Sequence, residues 1–338
     1  TFAYNWYKGD VLNATSLITN GLVSYYPLNN DTLDYYGSND AGANGSVQNK
    51  TNYAIGGSYS FDGNDDSIYF PSLGIFDGNS NFTMALWMNS KSLTADQGLI
   101  NPAAENNVYI DWGFTDNKYR ASSLIGTWQT ITSTDSFSLG WHHVVYKYST
   151  TAGTELFIDG KSQASDATTG SISSASTQNR IGSMGNGNRY FKGSIDEVMI
   201  FNKDLSTSEI LQLYWAGVNN GHTMNSSQLT ASDNWILGVR GLDSSNVGAE
   251  TNSSALVVQA VVVVDTTVPN STNYVYNDTT PQYNEVIQFN SSFIDETAMS
   301  RWVFSHNLSG VWQNMTANTF SYTNTSYNIS SYNLTINL

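Results

Sequence analysis

Short stretches in which apolar and polar residues alternate cover most of the chain, and glycine- or asparagine-rich turns separate them. A period of two residues is typical of β-strands with one buried face. The pattern predicts strands at 21–28, 56–61, 67–70, 141–148, 155–158 and 193–201. Residues 82–89 are apolar at both alternating sets of positions, which places this strand centrally, between two covered faces. The sequence therefore predicts an all-β fold.

Three local signals add a hairpin, a helix and a further strand. The turn 62–66 is predicted to join strands 56–61 and 67–70 as a hairpin, with Gly63 supplying a positive φ angle. Ser206 and Glu209 form a capping box, which predicts a short helix packed under the sheet. The apolar run 255–264 is too short to cross a bilayer and is predicted to be a buried strand.

Three phrases carry a resemblance to a known family. They are Ser-Tyr-Ser-Phe-Asp-Gly-Asn-Asp-Asp-Ser-Ile-Tyr-Phe at 58–70, Gly-Trp-His-His-Val-Val-Tyr-Lys-Tyr at 140–148 with Glu-Leu-Phe-Ile-Asp-Gly-Lys at 155–161, and Phe-Lys-Gly-Ser-Ile-Asp-Glu-Val-Met-Ile-Phe at 191–201. In this order they resemble the laminin-G-like (concanavalin A-like, pentraxin-like) jelly-roll family. The resemblance implies a jelly-roll β-sandwich over residues 21–215. Because this fold hosts lectins, adhesins, hydrolases and structural modules, it does not decide the function.

The segments that flank the jelly roll resemble a second fold. Residues 2–10 resemble the central tryptophan strand of an immunoglobulin-like or fibronectin-like domain, and residues 224–243 and 250–258 resemble its closing strands. The expected arrangement is a discontinuous immunoglobulin-like domain, 1–20 and 216–264, which lacks its first strands and contains the jelly roll as an insertion. Residues 265–338 are expected to begin a second such domain, incomplete at its C-terminus. Modules of this kind recur in archaeal and some bacterial surface proteins, so a prokaryotic, archaeal origin is expected.

Composition excludes several classes of function. A net charge of −15 with no basic stripe would repel a phosphate backbone, so nucleic acid is not an expected partner. The absence of cysteine excludes disulfides, thiol nucleophiles and cysteine-ligated zinc. No transmembrane segment is expected in this chain.

Triplets of the form Asn-x-Ser/Thr, the acceptors of N-linked glycans, indicate an extracellular or cell-surface location. None begins between 82 and 224, whereas the last third of the chain is rich in them. They begin at Asn13, Asn30, Asn44, Asn49, Asn81, Asn225, Asn252, Asn270, Asn277, Asn290, Asn307, Asn314, Asn324, Asn328 and Asn333.

A structural calcium site is predicted at the turn that carries Asp62, Asp65 and Asp66. Three carboxylates on one turn repel one another, and a hard cation with oxygen ligands would relieve this. The resemblance implies the same, because the adjacent acidic pair of this turn ligates calcium in the pentraxin branch. The loop 184–189, which supplies further ligands there, contains no carboxylate, so Asp196 and Glu197 are the remaining candidates. The alternative is a solvated turn whose carboxylates cap backbone amides.

Other candidate sites are weaker. His142 and His143 point to opposite faces of one strand and cannot chelate one metal together. Glu155 and Asp159 are about 13 Å apart along a strand, too far for a glycosidase pair. An aromatic platform for sugar stacking is a further possibility, which would use the residues Trp112, Trp128 and Tyr190.

Together these features predict a non-enzymatic, glycosylated cell-surface protein, either an adhesin or a structural subunit of a surface layer or extracellular filament. Its expected partners are other copies of itself or other surface proteins, which complete one another's domains by strand exchange. The alternative is a calcium-dependent, carbohydrate-binding lectin module. Such a module could stand alone or be part of a larger extracellular enzyme.

Overall fold

The computed structural model of the chain describes residues 1–259 apart from 77, 79, 93–95, 103–106, 114–115, 173–178, 185–188 and 244–245. Beyond residue 259 it describes the backbone of seven strands. The chain divides into two compact units, Thr1–Ala260 and Val261–Leu338. The predicted all-β class is confirmed.

The first unit contains twenty described strands and one helix. They are β1 (Phe2–Lys8), β2 (Val11–Thr15), β3 (Leu22–Tyr26), β4 (Gly42–Asn44), β5 (Val47–Asn49), β6 (Ser58–Asp62), β7 (Ser67–Phe70), β8 (Phe82–Ser90), β9 (Gln97–Asn101), β10 (Val108–Gly113), β11 (Lys118–Ile125), β12 (Thr127–Thr132), β13 (Trp141–Ser149), β14 (Gly153–Ile158), β15 (Lys161–Asp166), β16 (Asn179–Ile181), β17 (Lys192–Phe201), α1 (Thr207–Val218), β18 (Asn234–Gly241), β19 (Thr251–Asn252) and β20 (Leu256–Val257).

Two antiparallel sheets form the jelly roll. The first, called here the front sheet, has the strand order β12-β11-β10-β9-β16-β7-β4. The second, the back sheet, has the order β15-β14-β13-β8-β17-β6-β5, with β3 also paired to β17. Inward-facing residues of both sheets share one core, which includes Leu86 and Val144 from the back sheet and Ile110 and Trp112 from the front sheet.

The predicted hairpin of residues 56–61 and 67–70 is wrong in its pairing. β6 lies in the back sheet, where Tyr59 pairs with Ile195 of β17. β7 lies in the front sheet, where Ile68 pairs with Ile181 of β16. The turn between them therefore carries the chain from one sheet to the other. Alternation fixes which face of a strand is buried but not which strand lies beside it, so the sequence pattern is the same for both arrangements.

The central strand and the helix were predicted correctly. β8 lies between β13 and β17, and both of its faces are covered. The capping box at the start of α1 is present, with Ser206 accepting from the backbone of Glu209 and the Glu209 side chain accepting from the backbone of Ser206. The helix packs Ile210 and Leu213 against the outer face of the back sheet, where they share a second core with Phe157.

A third sheet joins the two ends of the first unit, with the order β19-β18-β1-β2 and β20 paired to β18. β1 and β18 pair along their whole length, from Phe2 opposite Gly241 to Lys8 opposite Trp235. Ala3 from this sheet also belongs to the core under α1. The immunoglobulin-like assignment, the insertion of the jelly roll and strand exchange between chains stay predictions.

The predicted buried strand 255–264 is wrong in its described part. Leu256 and Val257 form the two-residue strand β20 at the end of the third sheet, and they are 57% and 53% exposed. They pair only with Trp235 and the residue before it, so this apolar pair lies at an edge and not in a core. Residues 260–264 lie outside the described residues.

The second unit is described by its backbone strands. They are β21 (Asn270–Tyr276), β22 (Val286–Ile294), β23 (Arg301–Trp302), β24 (Ser305–His306), β25 (Gln313–Asn314), β26 (Asn318–Thr319) and β27 (Ser326–Thr335). β22 lies between β21 and β27, β23 pairs with β26, and β24 pairs with β25. The second immunoglobulin-like domain expected over residues 265–338 stays a prediction.

Candidate functional site

The outer face of the front sheet collects polar and aromatic side chains. Val108, Ile110 and Trp112 of β10 point into the core, so the alternate residues Tyr109 and Asp111 lie on the outer face. In β11, Tyr119 and Ala121 are buried in the core, which places Arg120 and Ser122 outside.

Strand register brings these outward residues together. Arg120 lies opposite Asp111, and Ser122 lies opposite Tyr109. In the edge strand β12, Trp128 remains 49% exposed. Its ring centroid lies 6.2 Å from that of Tyr109, with the planes at 54°. We call Tyr109 and Trp128 the aromatic pair.

Beside the aromatic pair, Asp111 is the centre of an ion network. Its side chain is 1% exposed. The Arg120 guanidinium binds both carboxylate oxygens, with Nε donating to Oδ1 at 3.0 Å and Nη2 donating to Oδ2 at 3.2 Å. Arg189 adds a bond from Nη1 to Oδ2 at 3.0 Å, and Arg120 also pairs with Asp96 at 2.9 Å. The network fixes two guanidinium groups beside the aromatic pair.

The network sets the protonation of its members. Burial raises the pKa of Asp111 above its usual value, and the charge and hydrogen bonds of Arg120 together with the charge of Arg189 offset only part of this effect. The contacts with Asp111 and Asp96 raise the pKa of Arg120 above its usual range, although burial opposes them, so this group stays charged. Because each guanidinium has five N–H donors, donors remain for a ligand after the carboxylates are satisfied.

A further aromatic residue, in addition to the aromatic pair, lies along the front sheet. Tyr69 of β7 is opposite Arg180 of β16, and the guanidinium carbon lies 4.6 Å from the ring centroid. This distance is that of a cation–π contact. The front sheet thus carries an Arg–aromatic contact in β7 and β16 as well as the aromatic pair in β10 and β12.

The structure separates the three residues expected to form an aromatic platform. Trp112 is fully buried in the core and cannot contact a ligand on the surface. Trp128 is exposed, and Tyr190 is half-buried next to Arg189. The sequence reasoning missed Tyr109, Asp111 and Arg120. An aspartate between Ile110 and Trp112 in an otherwise apolar alternation was the available signal.

The Asp turn is a compact acidic cluster. Carboxylate oxygens of Asp62, Asp65 and Asp66 all lie within 4.8 Å of one another. Hydrogen bonds from the backbone and side chain of Asn64 lower the pKa of Asp62. Burial raises the pKa of Asp66, and the charges of Asp62 and Asp65 raise it further. Asp66 also accepts the Asp62 amide at 2.7 Å, so carboxylates that cap backbone amides are present in this turn.

This donor set suits a hard cation. Asp65, together with the second oxygen of Asp66, would supply carboxylate ligands of the kind that Ca²⁺ prefers. The calcium ion itself stays a prediction.

Asp196 and Glu197 lie elsewhere. In β17, Lys192 is the residue opposite Asp62, and Asp196 is four residues further along, about 13 Å at the usual strand rise. Both carboxyl groups are buried, with Asp196 accepting the amides of Ala54 and Ile55 at 2.8 and 2.9 Å. The structure therefore does not bring Asp196 or Glu197 to the Asp turn.

A β-bulge places these two consecutive carboxyls on one face. The register of β17 against β8 shifts between Asp196 and Met199, and Glu197 has a φ of 51°. Ile195 and Val198 both point into the core, so Asp196 and Glu197 share the opposite face. Glu197 accepts the hydroxyl of a buried tyrosine, Tyr25, at 2.7 Å. Burial and the neighbouring charge of Asp196 raise the pKa of Glu197 well above its ordinary value.

Glu197 and His143 line one small cavity, which is about the size of a single water molecule. The ring of His143 lies next to that of Trp87, with centroids 5.2 Å apart and planes tilted by 31°. Burial lowers its pKa to about 4, so the imidazole is neutral at physiological pH. His142 instead bonds Asp159 at 2.7 Å, which raises its pKa against the opposing effect of burial. The two histidines thus have separate surroundings.

The seven triplets of the first unit differ in accessibility. Four of their asparagines are exposed, namely Asn30, Asn44, Asn225 and Asn252. Asn13, Asn49 and Asn81 are half-buried, and the side-chain nitrogens of Asn49 and Asn81 donate to Ser60 and Asp204. The eight triplets from Asn270 onward lie outside the residues whose side chains are described. Occupancy of any triplet stays a prediction.

Sequence comparison supports the fold of the first unit. Residues 62–211 match the sequence model of the Concanavalin A-like lectin/glucanases superfamily. Together with the two packed sheets, this match shows a concanavalin A-like jelly roll. A search of curated proteins finds no match. Among the described residues, no helix is both long and apolar enough to cross a bilayer.

Solved structures with similar folds include an arabinanase domain, a sialidase and a binding domain. Domain 4 of AbnA, a GH43 extracellular arabinanase from Geobacillus stearothermophilus in complex with arabinotriose, is 20% identical over 57% of this chain and 98% of that chain, with a TM-score of 0.48. Trypanosoma rangeli sialidase in complex with sialic acid is 18% identical over 62% of this chain and 35% of the sialidase, with a TM-score of 0.48. The binding domain of Paraclostridial Mosquitocidal Protein 1 is 13% identical over 82% of this chain and 78% of that chain, with a TM-score of 0.50. At 13% identity and a TM-score of 0.50, the similarity to the binding domain shows the fold alone.

The predicted adhesin, or structural subunit of a surface layer or filament, is wrong. The similar structures are a domain of an arabinanase, a sialidase and a binding domain. The lectin alternative agrees better with them. Archaeal origin and the immunoglobulin-like modules stay predictions.

Proposed function

We propose that the first unit is a non-catalytic carbohydrate-binding module of an extracellular protein. Its ligand lies on the outer face of the front sheet, across the aromatic pair and the Asp111 network. The observation that carries the proposal is the exposed Trp128 next to the half-buried Tyr109, beside a buried carboxylate fixed by two arginines.

The chemistry of this face is complementary to a sugar. Sugar rings present apolar C–H faces, which pack on exposed aromatic rings, and hydroxyls, which need fixed donors and acceptors. Trp128 and Tyr109 offer the rings, while Arg120 and Arg189 offer N–H donors held in place by Asp111. A preorganised network loses little conformational entropy when a ligand binds.

Binding without catalysis agrees with the state of the carboxylates. Both oxygens of the buried Asp111 accept hydrogen bonds from Arg120 or Arg189, so this carboxyl is not free to protonate a glycosidic oxygen. Asp96 is paired with Arg120 as well. A glycosidase needs one carboxyl that carries a proton beside the scissile bond.

Calcium dependence and extracellular location are parts of the same proposal. A Ca²⁺ ion held by the Asp turn would neutralise the acidic cluster and stiffen the crossing between the two sheets. Glycan acceptors at exposed positions such as Asn30 and Asn225 suit a secreted protein.

The test is an array of neutral and acidic oligosaccharides and polysaccharides probed with the purified chain, followed by calorimetry on each hit. The proposal expects saturable binding of a defined glycan class, together with unchanged glycan length after prolonged incubation. Release of shorter products would show that the protein cleaves the glycan and would contradict the proposed non-catalytic function. Absence of any binding with and without Ca²⁺ would reject the carbohydrate-binding function.

A further inference from the structure

Apart from the front-sheet site, the first unit has a cleft between the third sheet and the jelly roll. Strand β1, the loop after β3, the loop before β6 and the turn after α1 form its walls. Its volume is about 230 Å³, which is the space of roughly eight liquid-water molecules. Ile55 is among the residues that line it and is itself buried.

Aromatic rings form one side of this cleft. Phe2 is 57% exposed, although an isolated exposed phenylalanine needs no explanation by itself. Tyr4, two residues further along β1, lies on the same side of the strand. The ring centroids of Tyr4 and His222 are 5.7 Å apart, with the planes at 46°. Three rings therefore line a single concave surface.

Amide groups also line this cleft. The side-chain oxygen of Asn29 is buried and has no hydrogen-bond partner in the described part of the chain. A buried acceptor without a partner costs about 1–3 kcal/mol, and a ligand hydroxyl would satisfy it. The neighbouring Asn30 is exposed at the rim.

The charge of the cleft favours a neutral ligand. No lysine or arginine is among the described residues that line it. The protein carries a net charge of −15, and the charge of the buried Glu197 raises the pKa of Tyr4 in addition to the effect of burial. An anionic ligand would therefore find no lysine or arginine partner on these walls.

The walls of the cleft are fixed before any ligand arrives. The Tyr4 backbone exchanges two hydrogen bonds with Ser16, at 2.8 and 2.9 Å. The indole of Trp6 donates to the carbonyl of Gly221 at 2.9 Å, which holds the turn that carries His222. A β-carbon on Gly221 would lie 2.5 Å from the Tyr4 ring, so glycine permits this contact.

We propose that this cleft is a second sugar site, which takes one neutral sugar residue with its C–H face on the rings and a hydroxyl donating to Asn29. This inference rests on the residues of the cleft and not on the front-sheet site. Two sites on one module would raise its apparent affinity for a polysaccharide that reaches both.

The experiment measures binding of neutral monosaccharides and disaccharides by calorimetry and ligand-observed NMR. The protein is produced without N-glycosylation, because Asn30 begins an Asn-Asp-Thr triplet at the rim. All variants carry Trp128→Ala, which removes the exposed indole of the front sheet. Phe2→Ala and His222→Ala test the cleft, and Val11→Ala is the matched control, because Val11 is 70% exposed on the neighbouring strand β2. Thermal unfolding of each variant checks the fold.

The proposal expects the Trp128→Ala protein to bind a neutral sugar, and Phe2→Ala and His222→Ala each to weaken this binding at least tenfold while Val11→Ala leaves it unchanged. If the Trp128→Ala protein binds no neutral sugar, the proposed sugar site in the cleft is wrong. If the protein with Trp128 does bind in that case, the front-sheet site is still supported. Equal binding by the folded Phe2→Ala and Val11→Ala variants would also overturn the proposed sugar site in the cleft. Sugar binding that responds to Phe2→Ala but not to Trp128→Ala would support the cleft and reject the front-sheet site.

Discussion

Gly217 of helix α1 lies directly against the indole of Trp87 on the outer face of the back sheet. A β-carbon on residue 217 would come within 2.2 Å of the indole ring. The same indole stacks on Tyr214, one turn earlier in the helix, with ring centroids 5.9 Å apart and planes at 11°. This contact fixes how closely α1 approaches the jelly roll.

Gly217→Ala is expected to destabilise the protein by about 1–3 kcal/mol, the usual cost of overpacking. The higher helix propensity of alanine, about 1 kcal/mol, opposes this but does not relieve the overlap with Trp87. Urea unfolding followed by tryptophan fluorescence measures the change. Gly42→Ala is the control, since nothing lies within 4 Å of a β-carbon there. Equal stability of the two variants would contradict the packing described.

Trp128→Ala is expected to weaken binding of the glycan found on the array about tenfold or more, because the aromatic pair loses its exposed ring. Calorimetry measures the affinity. Val47→Ala is the control, since Val47 is 61% exposed in β5 of the back sheet. If both variants bind as tightly as the unaltered protein, the front-sheet face is not the binding site.

Calcium is expected to stabilise the protein through the Asp turn. With Ca²⁺ at about 100 times its dissociation constant, mass action predicts a gain of about 2.7 kcal/mol. Thermal unfolding in Ca²⁺, in Mg²⁺ and after chelation measures it. Asp66→Asn removes one carboxylate from the turn and is expected to abolish the gain. If the melting temperature does not respond to Ca²⁺, the predicted calcium site is wrong and the carboxylates of the Asp turn only cap backbone amides.

Glu197→Gln is expected to change how stability depends on pH. Because the folded-state pKa of Glu197 is raised, its contribution is fully present below the unfolded pKa of about 4.3 and is lost as pH rises through the folded pKa. The unaltered protein should therefore lose up to about 1.4 kcal/mol per pH unit relative to the variant within that window. Urea unfolding at pH 5, 6, 7 and 8 measures the difference, and parallel curves would rule out a buried, protonated Glu197.

His143 is expected to change the dependence of stability on pH in the direction opposite to that of Glu197. Its pKa of about 4 lies below the ordinary histidine pKa of about 6.5, so stability falls as pH drops from 6.5 towards 4. A difference of about 2.5 pH units corresponds to roughly 3 kcal/mol. His143→Phe keeps an aromatic ring beside Trp87 and should remove this acid sensitivity.

His142→Gln provides the contrast for that measurement. The raised pKa of His142 gives stability at low pH that is lost as pH rises through its folded value. Its substitution should therefore steepen the loss of stability on acidification. The same pH response from both histidine variants would contradict the separate surroundings of the two rings.

Part of the front-sheet site was within reach of the sequence. The period of two in residues 108–113 indicates that Asp111 and Tyr109 share a face, and Trp128 was already a candidate for sugar stacking. The partners of Asp111 were not accessible in this way. Arg120 and Arg189 are nine and 78 residues away along the chain, and only sheet register and a neighbouring loop bring them to one carboxylate.

The sequence by itself determined the all-β class, the central strand β8 and the capping box of α1, because each depends on local periodicity or on residues three positions apart. The jelly roll was expected from the family resemblance that the three ordered phrases carry. The tertiary structure alone decided that β6 and β7 belong to different sheets, that Trp112 is in the core while Trp128 is exposed, and that Asp196 and Glu197 lie far from the Asp turn. The physical reason is that alternation defines two faces of a strand but leaves open its neighbours and the layer that covers each face. Those depend on pairing between segments that are distant along the chain.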